Sequence, residues 1–279
     1  MRKFKRHHYK VKRKKSIFKN RLFGESFLLF LEISFIFYFL IFSQTFRIEK
    51  VYVFGDKEIK TENLQEFLQE KIEKFSPSIS IANIFLVNSK KLEEEILKKF
   101  PEIDVVEIKK NFPNILDIEI KERRPVAIFC FTRPSFVEQN LGGQDKNCGF
   151  LDKKGIIFEK NDSFNENLPL IKSQNREEKI ILGEDILERE TLEKILKINE
   201  SLETKLNIEP KEYVLFEKSI LESRLNVKTS QGWEIFFDLN KDIDLQILKL
   251  KLLLEEEIPP ENRKTLEYID LRFTRVYYK

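Results

Sequence analysis

From Ser26 to Phe46 the chain runs for 21 residues with no Lys or Arg and a single acid, Glu32. No other feature limits what this chain can fold into as strongly. Wound as a helix, the block rises about 30 Å, the thickness of a bilayer's hydrocarbon core. Glu32 opposes insertion, since an acid near a helix centre costs about 2.5–3.5 kcal/mol, while each Leu, Ile or Phe returns about 0.3–0.6 kcal/mol. The block holds fourteen such residues. Together they return about 4–8 kcal/mol, so a membrane-spanning helix is expected. Glu32 sits toward one end, which lowers its cost. It is a candidate for contact with a partner helix inside the membrane, against snorkelling or protonation near the interface. A cleaved signal peptide is the rival reading. Its apolar core is usually about 7–15 residues and ends at a small-residue site. This block is longer, and Ser43-Gln44-Thr45 is a poor cleavage site.

The charge on the two flanks supports an anchor. The 50 Lys+Arg and 47 Asp+Glu leave a net of only +3, but they are unevenly placed. Residues 1–25 carry eleven basic residues and one acid, a net of +10, and residues 47–279 carry a net of −6. The positive-inside rule puts the basic arm in the cytoplasm and the body across the membrane, in an oxidising compartment. A basic arm can also bind nucleic acid. Its place beside the apolar block favours a topology signal and a contact with anionic lipid. Ser16 and Lys19 match the S-x-x-K motif of penicillin-binding proteins. The match lies in the arm, and no S-D-N or K-T-G follows.

Composition narrows the chemistry. Charged residues at 35% and hydrophobic ones at 41% suit globular domains. Both histidines, His7 and His8, lie in the arm. The body therefore lacks the usual acid–base residue and the commonest metal ligand. No catalytic residue, metal ligand or cofactor site is expected, and neither nucleic acid nor a small molecule is an expected ligand.

Two modules follow the anchor. In the first, Phe46–Phe54 alternates as a strand and stops at Gly55-Asp56. Thr61 is placed to cap a helix with Leu64, Phe67, Leu68, Ile72 and Phe75 on one face, and Pro77 closes it. A second helix from Asn88-Ser89 turns Leu92, Ile96, Leu97 and Phe100 inward and ends at Pro101. Val105–Lys109 reads as a strand. Leu116, Ile118 and Ile120 then alternate with Asp117, Glu119 and Lys121 after an Asn111–Asn114 turn. The order is β-α-α-β-β.

The second module begins with an apolar strand, Pro125–Phe131. Residues 132–147 form a polar loop with Gly142-Gly143, and Cys148–Phe158 returns. Cys130 and Cys148 flank the loop and can be bridged if their strands pair, or remain two half-buried thiols. Helical spacing resumes at Leu192, Ile195, Ile198, Leu202 and Leu206. Tyr213–Phe216, Leu221–Thr229 and Trp233–Leu239 read as strands. A helix over about 242–257 is expected to turn Leu245, Leu248 and Leu252 inward. Leu266–Phe273 and Arg275–Tyr278 read as terminal strands. A terminal strand at a sheet edge can accept a strand from another chain. Aromatic Phe273, Tyr277 and Tyr278 beside Arg272 and Arg275 suit an interface; an ordinary edge is the alternative.

Several motifs in this order resemble the FtsQ/DivIB cell-division family. Residues 112–127, FPNILDIEIKERRPVA, are similar to the P-x-x-L-x-I-x-I-x-E-R-x-P-x-A end of that family's POTRA domain. Ile48–Gly55 resembles its opening I-x-x-V-x-V-x-G, and Phe100–Ile103 its P-x-V. Phe150–Phe158 resembles L-I-D-x-x-G-x-V-F, and Tyr268–Phe273 resembles x-I-D-L-R-Y. Asp152 and Gly155 in these motifs read as turn formers. Glu122 and Arg123 read as a brace between the modules.

The resemblance implies a single-pass membrane protein with an α+β ectodomain. A β-α-α-β-β POTRA domain would be followed by an α+β domain with a mostly antiparallel sheet. The boundaries are a basic tail at 1–25, a transmembrane helix at 26–46, POTRA at 47–124 and the C-terminal domain at 125–279. It further implies a non-enzymatic division scaffold at the septum with FtsB/DivIC- and FtsL-like partners. The docking role carries over onto Arg272, Phe273, Thr274, Arg275, Val276, Tyr277 and Tyr278. A membrane-anchored cell-wall enzyme and a POTRA-type secretion chaperone are the alternatives.

Overall fold

A computed structural model of the chain describes residues 21–55, 61–74, 83–132, 147–161, 168–174, 179–217 and 223–279. The basic arm up to residue 20, the S-x-x-K match, Phe75, Pro77 and Gly142-Gly143 lie outside them. So do the side chains of Thr61 and Ile72. The described residues fall into two compact units. One holds those up to 54, from 60 to 92 and from 108 to 118, and the other holds the remainder.

Helix α1 (Arg21–Phe42) carries the apolar block. Gly24–Phe42 is long and apolar enough to cross a membrane, and no part of it is buried in the protein. The helix stops short of Phe46. Ser43 caps a 3-10 turn over Gln44–Phe46, its Oγ accepting from Thr45 N at 3.3 Å. Glu32 lies within α1 and is exposed.

Next come β1 (Lys50–Phe54), α2 (Thr61–Lys74), α3 (Ser89–Lys99), β2 (Ile103–Asn111) and β3 (Ile115–Glu122). The strands form a sheet in the order β1-β3-β2. In α2, Leu64 and Leu68 are buried one turn apart, and in α3 Leu92 and Ile96 repeat that spacing. In β3, Leu116, Ile118 and Ile120 are buried in strict alternation. Gly55 is required where it stands, because a Cβ there would lie 2.3 Å from Ile120 Cγ1 and 2.7 Å from its carbonyl oxygen.

The larger unit is built on a second sheet. Its strands are β4 (Ala127–Thr132), β5 (Cys148–Leu151), β6 (Ile157–Lys160), β7 (Leu170–Gln174), β8 (Pro210–Glu217), β9 (Ser223–Thr229), β10 (Glu234–Asp238), β11 (Tyr268–Asp270) and β12 (Tyr277–Tyr278). They lie in the order β12-β11-β10-β9-β8-β7-β4-β5-β6. Most neighbours are antiparallel, but β7 is parallel to both β4 and β8, and β10 is parallel to β11. Two helices, α4 (Arg189–Lys205) and α5 (Ile243–Glu256), supply the rest of the core. Leu192, Ile195, Ile198 and Leu202 of α4 are fully buried with Tyr213, Leu225, Val227, Ile235, Phe237 and Ile269 from the sheet. Each such side chain contributes about 1.5–3 kcal/mol relative to exposure.

The facing of α5 differs from the expectation. Leu245, Leu248 and Leu252 are 51%, 50% and 45% exposed, and the helix buries Ile243, Gln246, Ile247, Leu250, Leu253 and Leu254 instead. Both faces of this helix are apolar, so spacing alone does not fix its rotation. Gln246 decides it. Its Nε2 donates to Asp238 O at 2.9 Å, and its Oε1 accepts from Asp238 N at 3.0 Å. A polar residue thereby becomes a satisfied part of the core.

Asp152 and Gly155 shape the β5–β6 turn. Asp152 Oδ1 accepts from Lys154 N at 2.8 Å and Ile156 N at 3.0 Å, and its other oxygen pairs with Arg123. Gly155 has φ +84°, and a Cβ there would stand 1.8 Å from Leu187 O. Arg123 Nε also donates to Pro101 O at 2.8 Å, and its NH1 lies 3.6 Å from Asp104.

Cys130 of β4 and Cys148 of β5 sit opposite one another and are joined by a disulfide. It closes a segment of 18 residues. Reduction is therefore expected to lower stability by about 3 kcal/mol in the chain-entropy account. Thiol titration of the unreduced, denatured chain should find none. Two free thiols would exclude the bridge.

A candidate partner-binding edge

β11 ends early for a chemical reason. Asp270 Oδ1 accepts from the Arg272 backbone N at 3.1 Å, closing a local turn that competes with further pairing. The Arg272 guanidinium adds two bonds to the same carboxylate, Nε to Oδ1 at 2.9 Å and NH2 to Oδ2 at 2.6 Å. The chain then bends through residues 272–275. Lysines hold the carbonyls of that bend: Lys241 Nζ donates to Arg272 O at 2.5 Å, and Lys249 Nζ of α5 donates to Phe273 O at 3.1 Å. The two expected terminal strands, Leu266–Phe273 and Arg275–Tyr278, are thus both shorter: Arg272, Phe273, Thr274, Arg275 and Val276 form a braced bend and its exit. Only Tyr277 and Tyr278 pair with β11, opposite Asp270 and Ile269.

β12 stands at one end of the sheet order, and among the described residues no strand flanks its outer side. Lys279 N donates to Tyr268 O at 3.1 Å, and Lys279 O accepts from Glu267 N at 2.6 Å. The alternation of an antiparallel pair then turns the Tyr278 N–H and C=O away from β11. Phe273, Tyr277 and Tyr278 are half exposed, and the Phe273 and Tyr277 rings meet edge to face at 5.7 Å. Val276 packs on the core. Tyr278 Oη donates to Glu257 Oε2 at 3.1 Å.

The sheet face turned away from α4 and α5 adds residues that the sequence reading did not single out. Arg224 lies between the rings of Phe216 at 5.0 Å and Phe236 at 4.5 Å. Arg272 sits over Phe236 at 5.6 Å and Phe273 at 5.4 Å. Phe236 stacks on Tyr268 at 5.4 Å. The result is a row of alternating cations and rings ending at the bend, a geometry that favours close packing of both. Its signal was present in the polar half of the 223–238 hairpin, where Arg224 and Phe236 are the outward residues. The other candidates lie elsewhere. Cys130 and Cys148 are near the opposite end of the sheet, and Glu32 is in α1.

Burial opposes ionisation of Asp270, but the Arg272 hydrogen bonds and the charges of Arg272 and Arg224 outweigh it. The carboxyl is held below its ordinary 3.8. Further along the same face, Glu212 is lowered in the same way, its burial outweighed by Lys172 and Lys228. Burial and the nearby Arg272 charge outweigh the pull of Asp270 and Glu234 and push Arg224 below its usual value. The edge is therefore a charged, aromatic surface with its own ion pairs satisfied. Among the described residues no group of three His, Cys, Asp or Glu side chains is placed to hold a metal.

Comparison with known families bears on the smaller module. Residues 46–123 match the family described as POTRA domain, FtsQ-type. This stretch is an FtsQ-type POTRA domain. It takes in β1, α2, α3, β2 and β3, in the β-α-α-β-β order read from the sequence. The match supports assignment to the FtsQ/DivIB family of division proteins, although it covers the smaller part of the chain. No curated protein matches the sequence. Beyond the FtsQ-type domain, the chain has the mixed α+β build and large sheet of a single-pass membrane protein's ectodomain.

The Asp270–Arg272 pair has a pH signature. A carboxyl lowered on folding contributes stability that is present above its ordinary pKa and lost as pH falls through the folded one. Asp270→Asn is expected to lower the thermal midpoint at neutral pH and to matter progressively less below about pH 4. An equal loss at both pH values in thermal melts would show that the charge of Asp270 is not what stabilises the bend.

Proposed function

We propose that this protein is a non-enzymatic scaffold of the division machinery, anchored by α1 with its N-terminus in the cytoplasm and its larger part outside. On this reading it works at the septum and joins FtsB/DivIC- and FtsL-like membrane proteins to the machinery. Contact is made by adding a partner strand to β12. The observation that carries the proposal is the end position of β12, with the Tyr278 amide turned outward beside exposed Phe273 and Tyr277. Strand addition takes its affinity from main-chain bonds and its register from alternate side chains. The Arg–aromatic row beside the edge supplies side-chain recognition. The FtsQ-type POTRA domain supports the division context. The Cys130–Cys148 bridge fits an oxidising compartment.

The test is binding of the full-length chain to an FtsB-like coiled-coil partner in detergent or nanodiscs. Tyr278→Pro removes the outward N–H and is tolerated at an edge. Tyr278→Ala keeps the N–H and removes the ring. The proline variant is expected to lose binding by far the more, with unchanged melting in both. Equal binding by the folded proline variant and the wild type would overturn strand addition at this edge.

A further inference from the structure

The end of α1 is held by a residue outside the motifs. Asn83 is 1% exposed, and its Nδ2 donates to both Leu40 O at 2.8 Å and Ile41 O at 2.9 Å. Its Oδ1 accepts from Phe85 N at 2.8 Å. The last carbonyls of a helix have no partner within it, and in hydrocarbon no water replaces one. Asn83 satisfies two of them. The clamp is reinforced where Ile84 N donates to Phe46 O at 2.9 Å. Lys110 Nζ braces the same segment by donating to Val87 O at 2.7 Å.

The clamp sets a line of rings running off the helix end. Phe39 meets Phe46 edge to face at 6.4 Å, Phe46 meets Phe85 at 5.0 Å, and Phe85 meets Phe112 at 5.1 Å. Phe85, Leu86 and Phe112 are 43%, 46% and 58% exposed. Phe112 stands at the β2–β3 turn and Phe85 in the segment before α3. Two chain segments distant in sequence thus present apolar tips together. Patches of this kind mark a binding surface. The occupant follows from continuity. The patch is joined through Phe46 to the last turn of an apolar, exposed helix of membrane-spanning length. Phe and Leu side chains held at a membrane surface bury into the boundary between headgroups and acyl chains.

We propose that Phe85, Leu86 and Phe112 insert into the lipid interface at the C-terminal end of α1, holding this unit on the bilayer surface with Asn83 as the fixed joint. The inference rests on α1 spanning the membrane. A patch that merely followed a flexible linker would carry no such placement. Here the hydrogen bonds of Asn83 fix the tips beside the helix end.

The test uses the full-length chain in vesicles containing brominated phosphatidylcholine. Phe112→Trp, and separately Phe85→Trp, place a reporter at each exposed tip, and the native Trp233, fully buried in the larger unit, is the internal reference. The expected result is blue-shifted emission from the new tryptophan, quenched by bromines near the headgroup, with the Trp233 signal of the wild type unchanged. Red-shifted, unquenched emission in a chain that resists alkaline carbonate extraction would overturn the proposal while leaving the span intact. A shift that appears only on adding a second protein would overturn it as well, assigning the patch to that protein. Extraction by carbonate would overturn the spanning helix itself, and the proposal with it.

Discussion

The larger unit depends on burying one face of its nine-stranded sheet. Helices α4 and α5 cover that face with fully buried aliphatic side chains, and Trp233, Tyr213, Phe129 and Phe237 fill the space between. That burial is the main force ordering the strands. The opposite face buries only a small cluster among the described residues, Ile128, Cys130 and Cys148 at the β4–β5 end. Elsewhere on that face the sheet carries ion pairs and stacked rings, such as Lys172–Glu212–Lys228 and Arg224–Phe236–Arg272. A sheet covered on both faces would have no such surface to offer.

The same constraint defines the edge. Parallel β11 is held against β10, and β12 closes the row as a two-residue strand. Long exposed edges invite aggregation, and short ones braced by charged residues avoid it. Lys241, Lys249 and the Asp270–Arg272 pair brace the bend that leads into β12. The edge is thus short and held in one conformation.

In the smaller unit the governing interaction is different. An apolar helix leaving a bilayer must satisfy its last carbonyls, and Asn83 does so from a segment far away in sequence. Asn83 was not singled out in the sequence, although a polar residue within the run Ile81-Ala82-Asn83-Ile84-Phe85 is a signal. Its role becomes visible only when the carbonyls of Leu40 and Ile41 are beside it. The Asp152 turn was easier to read, since its bonds reach residues two and four positions on.

The sequence by itself determined what is local. It set the apolarity of α1, the alternation of Leu116, Ile118 and Ile120, the helical spacing of Leu192 to Leu202, and the turn at Asp152–Gly155. Each follows from neighbours within a few residues, where backbone geometry dictates which side chains share a face. The tertiary structure alone decided the rotation of α5, because both its faces are apolar and only the bonds of Gln246 distinguish them. It decided the place of β7 between β4 and β8, a parallel arrangement that no local turn specifies. It also decided that residues 272–275 bend while Tyr277 and Tyr278 form the strand. The competing bonds of Asp270 and the lysines of distant elements determine where pairing stops, and those meet only after the sheet has formed.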